Sequence, residues 1–580
     1  MKKMRRIASV LLALTMVFGL TATAFAAEAN TDAGRVQATV TNETKHSYAA
    51  YQIFKGTQEA GNAALGDVDW GSGVNGPDLL TALQGDNRLN VGEGGSNIFA
   101  GYTEAAQVAA ALEKYKADPV VAAVFANLAD KNRTGTAEAQ IAAGATYVPI
   151  PVGYYLLVDT TNLGEGANDA LNPALLQVTN NGDITIKEKY EVPTVDKSVT
   201  GTDGITGEAT DCNIGDSVTF TLTGTLPGDG EGQYDGKWLD DYDSYKYIFH
   251  DTLSDGLQYN GDVKVYLAGK GADGKPDLAG KTEIAESGYT VAAGDAAAEG
   301  DTLTVTFADL KGVGGVTADS IIIVEYSATL TEAAAIGKPG NTNTVKLEYS
   351  NNPNTSDDPS KDTGETPGDT VYVFTYELDG TKVDGQTPNK TLKDAQFVLY
   401  RGKDGADPTY ADGIPTNVEY ALVAGGKLTG WTDDRGTAIG TEEVKGPGIV
   451  ASGENGLFVI SGLDAGTYYL EEVKAPAGYN LLKDPVKLTI DAEISGGDAE
   501  TKQPPTIGKL DLITEGKDGS ITTPGDKDNG TVSLEVQNNM GALLPSTGGM
   551  GTTLFYIAGA ALVLAAGVLF MMKRRTDAGK

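Results

Sequence analysis

Apolar residues in this chain come in short runs, broken by Gly, Asp, Thr, Asn and Pro, and only two stretches depart from that rhythm by staying apolar throughout. Ile7 to Leu20 follows Lys2, Lys3, Arg5 and Arg6 and precedes Ala24-Phe25-Ala26. That order is a secretory leader with a small-x-small cleavage site. Near the other end, Thr553 to Met572 is apolar over the length that crosses a bilayer as a helix, about 20 residues. Lys573-Arg574-Arg575 follows it and should stay on the cytoplasmic side. Between these extremes the short runs predict strands bounded by turns, a mainly β protein. Thr103 to Asn132 differs: it is Ala-rich and helix-favouring, with a break at Pro119, and predicts a helical insertion.

The length exceeds one domain. Punctuation divides it into a leader (1–26), a first domain carrying the helical insertion (27–190) and a second domain (191–353). A polar linker (354–369) and a third domain (370–539) follow. The C-terminal segment, 540–580, holds the membrane helix and the basic tail.

Side chains alternate between the faces of a strand, and several polar residues fall in the phase of the core. Lys197 shares a face with Val195 and Val199. In Phe374-Thr375-Tyr376-Glu377-Leu378 the even positions are apolar, and that phase reaches Lys382. Asn343 keeps phase with Val345, Leu347 and Tyr349, and Asn538 with Val532, Leu534 and Val536. Asp251 follows Tyr245, Tyr247 and Phe249; Glu472 follows Tyr468 and Leu470. A lysine on a core face is costly and normally avoided. Here each of the last two domains has one near its start, an Asn on its last strand and a carboxylate between.

The trio has a definite chemistry. Desolvation lowers the pKa of a buried lysine, and the neutral amine is a nucleophile. A buried carboxyl stays protonated, can hydrogen-bond and polarise the Asn carbonyl, and can pass a proton to departing ammonia. The product would be a Lys–Asn isopeptide bond made once, without turnover. Asn341 is a rival to Asn343 that the phase leaves open; Asn539, the rival to Asn538, is out of phase.

Composition sharpens this. The formal net charge is −35, and both removable ends are net basic, so the processed chain is more acidic still. Such a surface repels nucleic acid and favours solubility. Cys212 is the single cysteine, so an exported chain here makes no internal disulfide. An irreducible cross-link would restrict the unfolded chain in its place.

Leu544-Pro545-Ser546-Thr547-Gly548 precedes the membrane segment and resembles the LPxTG sorting signal of Gram-positive surface proteins, cut by a sortase between Thr and Gly. The segments YKYIFHDTLSDGL through NTNTVKLEYSNNP, and TKVDG with LKDAQFVLYR to YYLEEVKAPAGY, resemble the backbone pilins of sortase-assembled pili. In the second of them Tyr468, Leu470 and Glu472 match the family's YxLxE box. The resemblance implies tandem immunoglobulin-like, Cna protein B-type β-sandwiches. It also implies a pilin-motif lysine near the end of the first domain. The matching stretch, Ile184 to Pro193, lacks the family's Tyr-Pro before the lysine; position points to Lys189, with Lys187 the alternative. Ile184 and Ile186 take one face and the two lysines the other. In this reading Lys189 of one subunit attacks the Thr547 acyl-enzyme of another. The implied partners are pilus-specific and housekeeping sortases, further copies joined head to tail, cell-wall peptidoglycan, accessory tip and base pilins, and a host surface. No cofactor, metal or catalytic turnover is expected.

Other signals point elsewhere less strongly. His46 and His250 are the only histidines and fall in different domains, which argues against a Ser–His–Asp or His-metal site; His250 is expected exposed. Gly228 to Gly232 lacks a phosphate-loop lysine. Asp240, Asp241 and Asp243, and Asp526 with Asp528, do not fit an EF-hand. A wall-anchored monomeric adhesin and a surface hydrolase are the competing classes.

Overall fold

The computed structural model describes residues 31–541, except 33–34, 59–64, 117, 165–166, 172–173, 179–183, 187–191, 228–238, 240–241, 243, 272–273, 353–361, 388, 442–444, 499–502 and 517–518, together with 558 and 560–568. The leader, the sorting pentapeptide, Lys187, Lys189 and the Gly228 and Asp240 loops lie outside the described residues. Within the expected membrane segment the described residues 558 and 560–568 are helical and exposed. No helix among the described residues is long and apolar enough to cross a membrane.

The first domain packs a sheet built on Arg35–Asn42 against one built on Tyr48–Thr57 and Gly153–Asp159. Every residue of Gly153–Asp159 is buried. Its run of apolar residues fits a strand covered on both faces. Tyr155 and Leu157 point into the sandwich, while Tyr154, Leu156 and Val158 meet the helices. Two of those helices, Ala105–Lys114 and Pro119–Lys131, fall inside Thr103 to Asn132. Pro119 opens the second, where its missing N–H costs nothing, and Asp118 caps it. A third helix, Gly76–Gly85, is additional.

The middle domain is a β-sandwich. One sheet orders Thr206–Gly207, Val195–Thr200, Ser217–Thr225, Ile321–Leu330, Lys264–Ala268 and Thr282–Glu283; the facing sheet orders Ala209–Asp211, Asp369–Phe374, Asn341–Ser350, Tyr247–Leu253, Leu303–Phe307 and Thr290–Ala293. The expected linker therefore differs. Thr363–Glu365 and Asp369–Phe374 both pair with Asn341–Ser350, so the middle domain runs to Phe374. The alternation of buried and half-buried residues in Asp369–Phe374 is that of a strand; its buried positions are odd-numbered, and after Phe374 and Thr375, both buried, the buried face of the next strand, Tyr376–Asp384, falls on even numbers.

In the C-terminal domain eleven strands among the described residues form one hydrogen-bonded set running from Gly519–Pro524 to Thr531–Asn538. First and last strands are neighbours and parallel, Glu377 opposite Thr531 and Asp384 opposite Asn538.

One apolar core runs from Val195 to Val536 through both of these domains. Their joint is paired as well as packed: Ile214 N–H donates to Gly462 (2.9 Å), Gly337 N–H to Thr375 (3.1 Å) and Asp464 N–H to the Asn213 side chain (3.1 Å). Gly462 is held at φ 89° with Ile214 against it, so a Cβ there would collide. Lys338 bridges to Asp528 at 2.9 Å, which gives the Asp526–Asp528 turn a structural partner. Burial, reinforced by the Asp211 charge, pushes Asp464 up to about 8. The first domain meets the middle one through Leu171 N–H to Asn351 (2.8 Å) and Tyr349 O–H to Asn168 (3.0 Å).

Both histidines are clamped between carboxylates. His250 is half-buried rather than exposed and bridges Asp301 (2.6 Å) to Glu348 (3.0 Å). His46 is buried between Asp159, on Nδ1, and Asp169, 2.9 Å from Nε2. Burial alone would lower its pKa; hydrogen bonds and charge from the two carboxylates outweigh it and raise it to about 9. A group raised on folding gives stability that is complete below its unfolded value, about 6.5, and lost as pH climbs through 9. Hydrogen exchange of Gly153–Asp159 should therefore quicken between pH 6.5 and 9 beyond its intrinsic rate. His46→Gln should flatten that dependence, and an unaltered slope would refute the assignment.

Candidate functional site: two buried lysine clusters

Lys197 and Lys382 are both 0 % exposed. Each occupies the phase of its strand's apolar neighbours, in Val195–Thr200 and Tyr376–Asp384. The two clusters are built differently.

In the middle domain the four groups come from both sheets. Lys197 and Tyr326 project from one, Asp251 and Asn343 from the other. Lys197 Nζ lies 2.8 and 2.7 Å from the two Asp251 oxygens. The Tyr326 hydroxyl donates to Asp251 Oδ2 at 2.7 Å and accepts from Asn343 Nδ2 at 2.6 Å. Asn343 Oδ1 is buried and has no hydrogen-bond partner among the described residues. The Lys197 N–H donates to Asp369 (2.6 Å), and the rings of Phe220 and Tyr326 lie 5.4 and 5.7 Å from Nζ. Burial lowers Lys197 to about 8 against the pull of Asp251, and raises Asp251 against the pull of Lys197 and Tyr326. The shifts converge, narrowing the gap between an ion pair and a neutral amine beside a carboxylic acid.

In the C-terminal domain the lysine and asparagine sit on adjacent parallel strands. Lys382 pairs with Val536, and Asn538 is two residues on. Lys382 Nζ is 2.6 Å from Asn538 Oδ1, one carbonyl bond from the carbon it would attack, and 3.3 Å from Glu472 Oε1. Glu472 accepts from Asn538 Nδ2 at 2.9 and 3.0 Å, and from the Leu482 N–H at 2.9 Å. Burial lowers the pKa of Lys382 here too. Phe397 lies 5.6 Å from Nζ and stacks on Phe458 at 4.6 Å. Gly380, two residues before the lysine, leaves room for Phe458, whose ring atoms would stand 2.0 Å from a Cβ there.

The orientation of the amides differs from expectation. The acid was expected on the Asn carbonyl; Glu472 instead meets the amide nitrogen, because Lys382 occupies the oxygen. In the middle domain the nitrogen faces Tyr326. Glu472 thus meets the amide nitrogen directly, whereas Asp251 reaches that of Asn343 only through the Tyr326 hydroxyl. Tyr326 was missed: in Ile321–Leu330 it looks like another core aromatic, and its only signal is a hydroxyl on a face that also receives a lysine.

Asn341 is buried, but its amide is consumed by backbone: Oδ1 accepts from Ala335 (2.9 Å), and Nδ2 donates to Ala335 and Val373 (both 3.1 Å). Asn539 is exposed.

Three family models match the chain: the Gram-positive pilin backbone subunit 2, Cna-B-like domain over residues 239–353, the SpaA prealbumin-like fold domain over 377–503, and the LPXTG cell wall anchor motif over 536–578. The trypsin-resistant surface T6 protein of Streptococcus pyogenes is 27 % identical over 454 residues, 71 % of this chain and 77 % of that one. The chain carries, in order, the backbone, SpaA-like and wall-anchor segments of a Gram-positive backbone pilin. Among solved structures, the T6 backbone pilin of serotype M6 Streptococcus pyogenes aligns at 18 % identity and TM-score 0.44, covering 87 % of this chain and 98 % of that one. The full-length major pilin SpaD of Corynebacterium diphtheriae aligns at 18 % and 0.41, covering 88 % and 99 %. As a backbone pilin with a wall-anchor motif, the chain is a cell-wall-anchored surface pilus subunit, and its family is structural.

Asn341→Ala should leave any cross-linked peptide containing Lys197 at its full yield, and Asn343→Ala should abolish it. Peptide mapping by mass spectrometry distinguishes the two, and the reverse result would reassign the acceptor.

Proposed function

We propose that this pilin is the repeating subunit of a covalent fibre, joined through Thr547 of one copy to Lys189 of the next, and that two intramolecular bonds, Lys197–Asn343 and Lys382–Asn538, secure it. The observation that carries the internal bonds is the contact of a fully buried amine, at 2.6 Å, with the amide of Asn538, whose nitrogen meets a buried carboxyl. A neutral lysine adds to the amide carbon, the acid protonates the departing nitrogen, and ammonia leaves. The intact mass of the secreted chain should fall short by two ammonias. Asp251→Ala and Glu472→Ala should each restore one. A full, unshifted mass in the unmodified chain would end the proposal for both bonds.

The intersubunit bond rests on the sorting motif and on the position of Lys189 at the end of the first domain. One donor carbonyl and one acceptor amine per subunit make an open filament rather than a ring. Pilus and housekeeping sortases would act in turn, the second transferring the fibre to peptidoglycan. Lys189→Ala should erase the sortase-dependent high-mass ladder on gels of cell-wall extracts. A persistent ladder would move the role to another lysine, Lys187 first; no ladder in the parent strain would favour the monomeric adhesin.

A further inference from the structure

We infer that Tyr326 is a catalytic residue of the middle-domain cross-link, relaying a proton from Asp251 to the nitrogen that leaves Asn343; the inference rests on the cross-linking reading above. Three contacts form an unbroken path from nucleophile to leaving group. Lys197 Nζ lies 2.7 Å from Asp251 Oδ2, that oxygen lies 2.7 Å from the Tyr326 hydroxyl, and the hydroxyl lies 2.6 Å from Asn343 Nδ2. All four side chains are buried, so no bulk water supplies the proton. The C-terminal cluster has no such intermediary: Glu472 reaches Asn538 Nδ2 itself. An aspartate is one methylene shorter than a glutamate, and the hydroxyl fills the gap.

The ring is held for the task. Phe220 packs 5.5 Å from it, Tyr259 meets it edge-on at 5.6 Å, and Tyr326 lies opposite Phe220 in the sheet. A phenylalanine would fill the same space and keep the ring beside Lys197; it would lack only the hydroxyl that bonds Asp251 and Asn343.

The step balances without any outside reagent. The lone pair of the neutral Lys197 amine attacks Asn343 Cγ. The Nζ–Cγ bond forms and the Cγ–Nδ2 bond breaks. Tyr326 gives its O–H proton to Nδ2 and takes one from Asp251, which recovers a proton from the amine. One amine and one primary amide become one secondary amide and one ammonia, with no change of oxidation state. Burial keeps the phenol protonated, its pKa well above the usual value, so the hydroxyl acts as a conduit that is refilled as it empties.

The test is Tyr326→Phe in the full chain, followed by pulse-chase labelling and peptide mapping. The Lys197–Asn343 peptide should accumulate at least tenfold more slowly than in the parent, toward the ~10²–10⁴ range of general acid–base catalysis. The Lys382–Asn538 peptide should form at the parental rate. Identical time courses for the first peptide would overturn the relay. Absence of that peptide from the parent chain would instead overturn the cross-linking reading. A thermal scan separates catalysis from folding. Sampled early in the chase, before its bond has formed, Tyr326→Phe should melt no lower than Asp251→Ala, which lacks the bond and the partner of Lys197. Melting far below it would overturn the relay by making the hydroxyl structural.

Discussion

A lysine stripped of water must find its compensation inside the protein, and this requirement organises the last two domains. Ionised amines and carboxyls are expensive to desolvate, and an uncompensated one costs several kcal/mol. Around Lys197 the compensation is a carboxyl, a phenol and two aromatic faces. Around Lys382 it is an amide oxygen, a carboxyl and the stacked pair Phe397–Phe458. Neither set can be assembled from local sequence. Each draws on strands more than fifty residues apart, so the cluster exists only once the sandwich has closed.

The proposed cross-link would be reached by two geometries. In the middle domain the partners face each other across the layers, and the shorter Asp251 is bonded to Tyr326. In the C-terminal domain Lys382 and Asn538 lie along neighbouring strands at a sheet edge, and the longer Glu472 reaches across from Gly466–Lys474. The core that joins the domains is continuous, and Asp211 and Asp464 share its polar seam, where Asp464 holds a proton up to about pH 8.

Much of this was legible before any coordinates. Lys197, Asp251 and Asn343 were visible because alternation has a strict period of two, so one polar residue in the apolar phase stands out. The helices at Ala105 and Pro119 were visible through composition. What escaped was what alternation does not encode. The sequence places Asp369 in the linker and Thr370–Phe374 in the third domain, because no turn residues separate that run from Tyr376, although pairing assigns the whole strand to the second domain. Tyr326 escaped because a tyrosine in the core phase is unremarkable until its hydroxyl meets something. The clamps on His46 and His250 escaped because their carboxylates lie far off in the chain. Amide orientation escaped because it is set by competition between a lysine and a carboxyl for one side chain.

The parallel pairing of Tyr376–Asp384 with Thr531–Asn538 has a mechanical consequence. Because both strands point the same way, the chain enters the C-terminal domain at one pole and leaves at the other, separated by an eight-residue ladder of ~26 Å at ~3.3 Å per residue. A pull on the two ends acts along the strands and loads their hydrogen bonds in shear, all together. A hairpin peeled from its tip would instead surrender them one after another. The register that brings Lys382 beside Asn538 is therefore also the register in which the domain resists extension most stiffly.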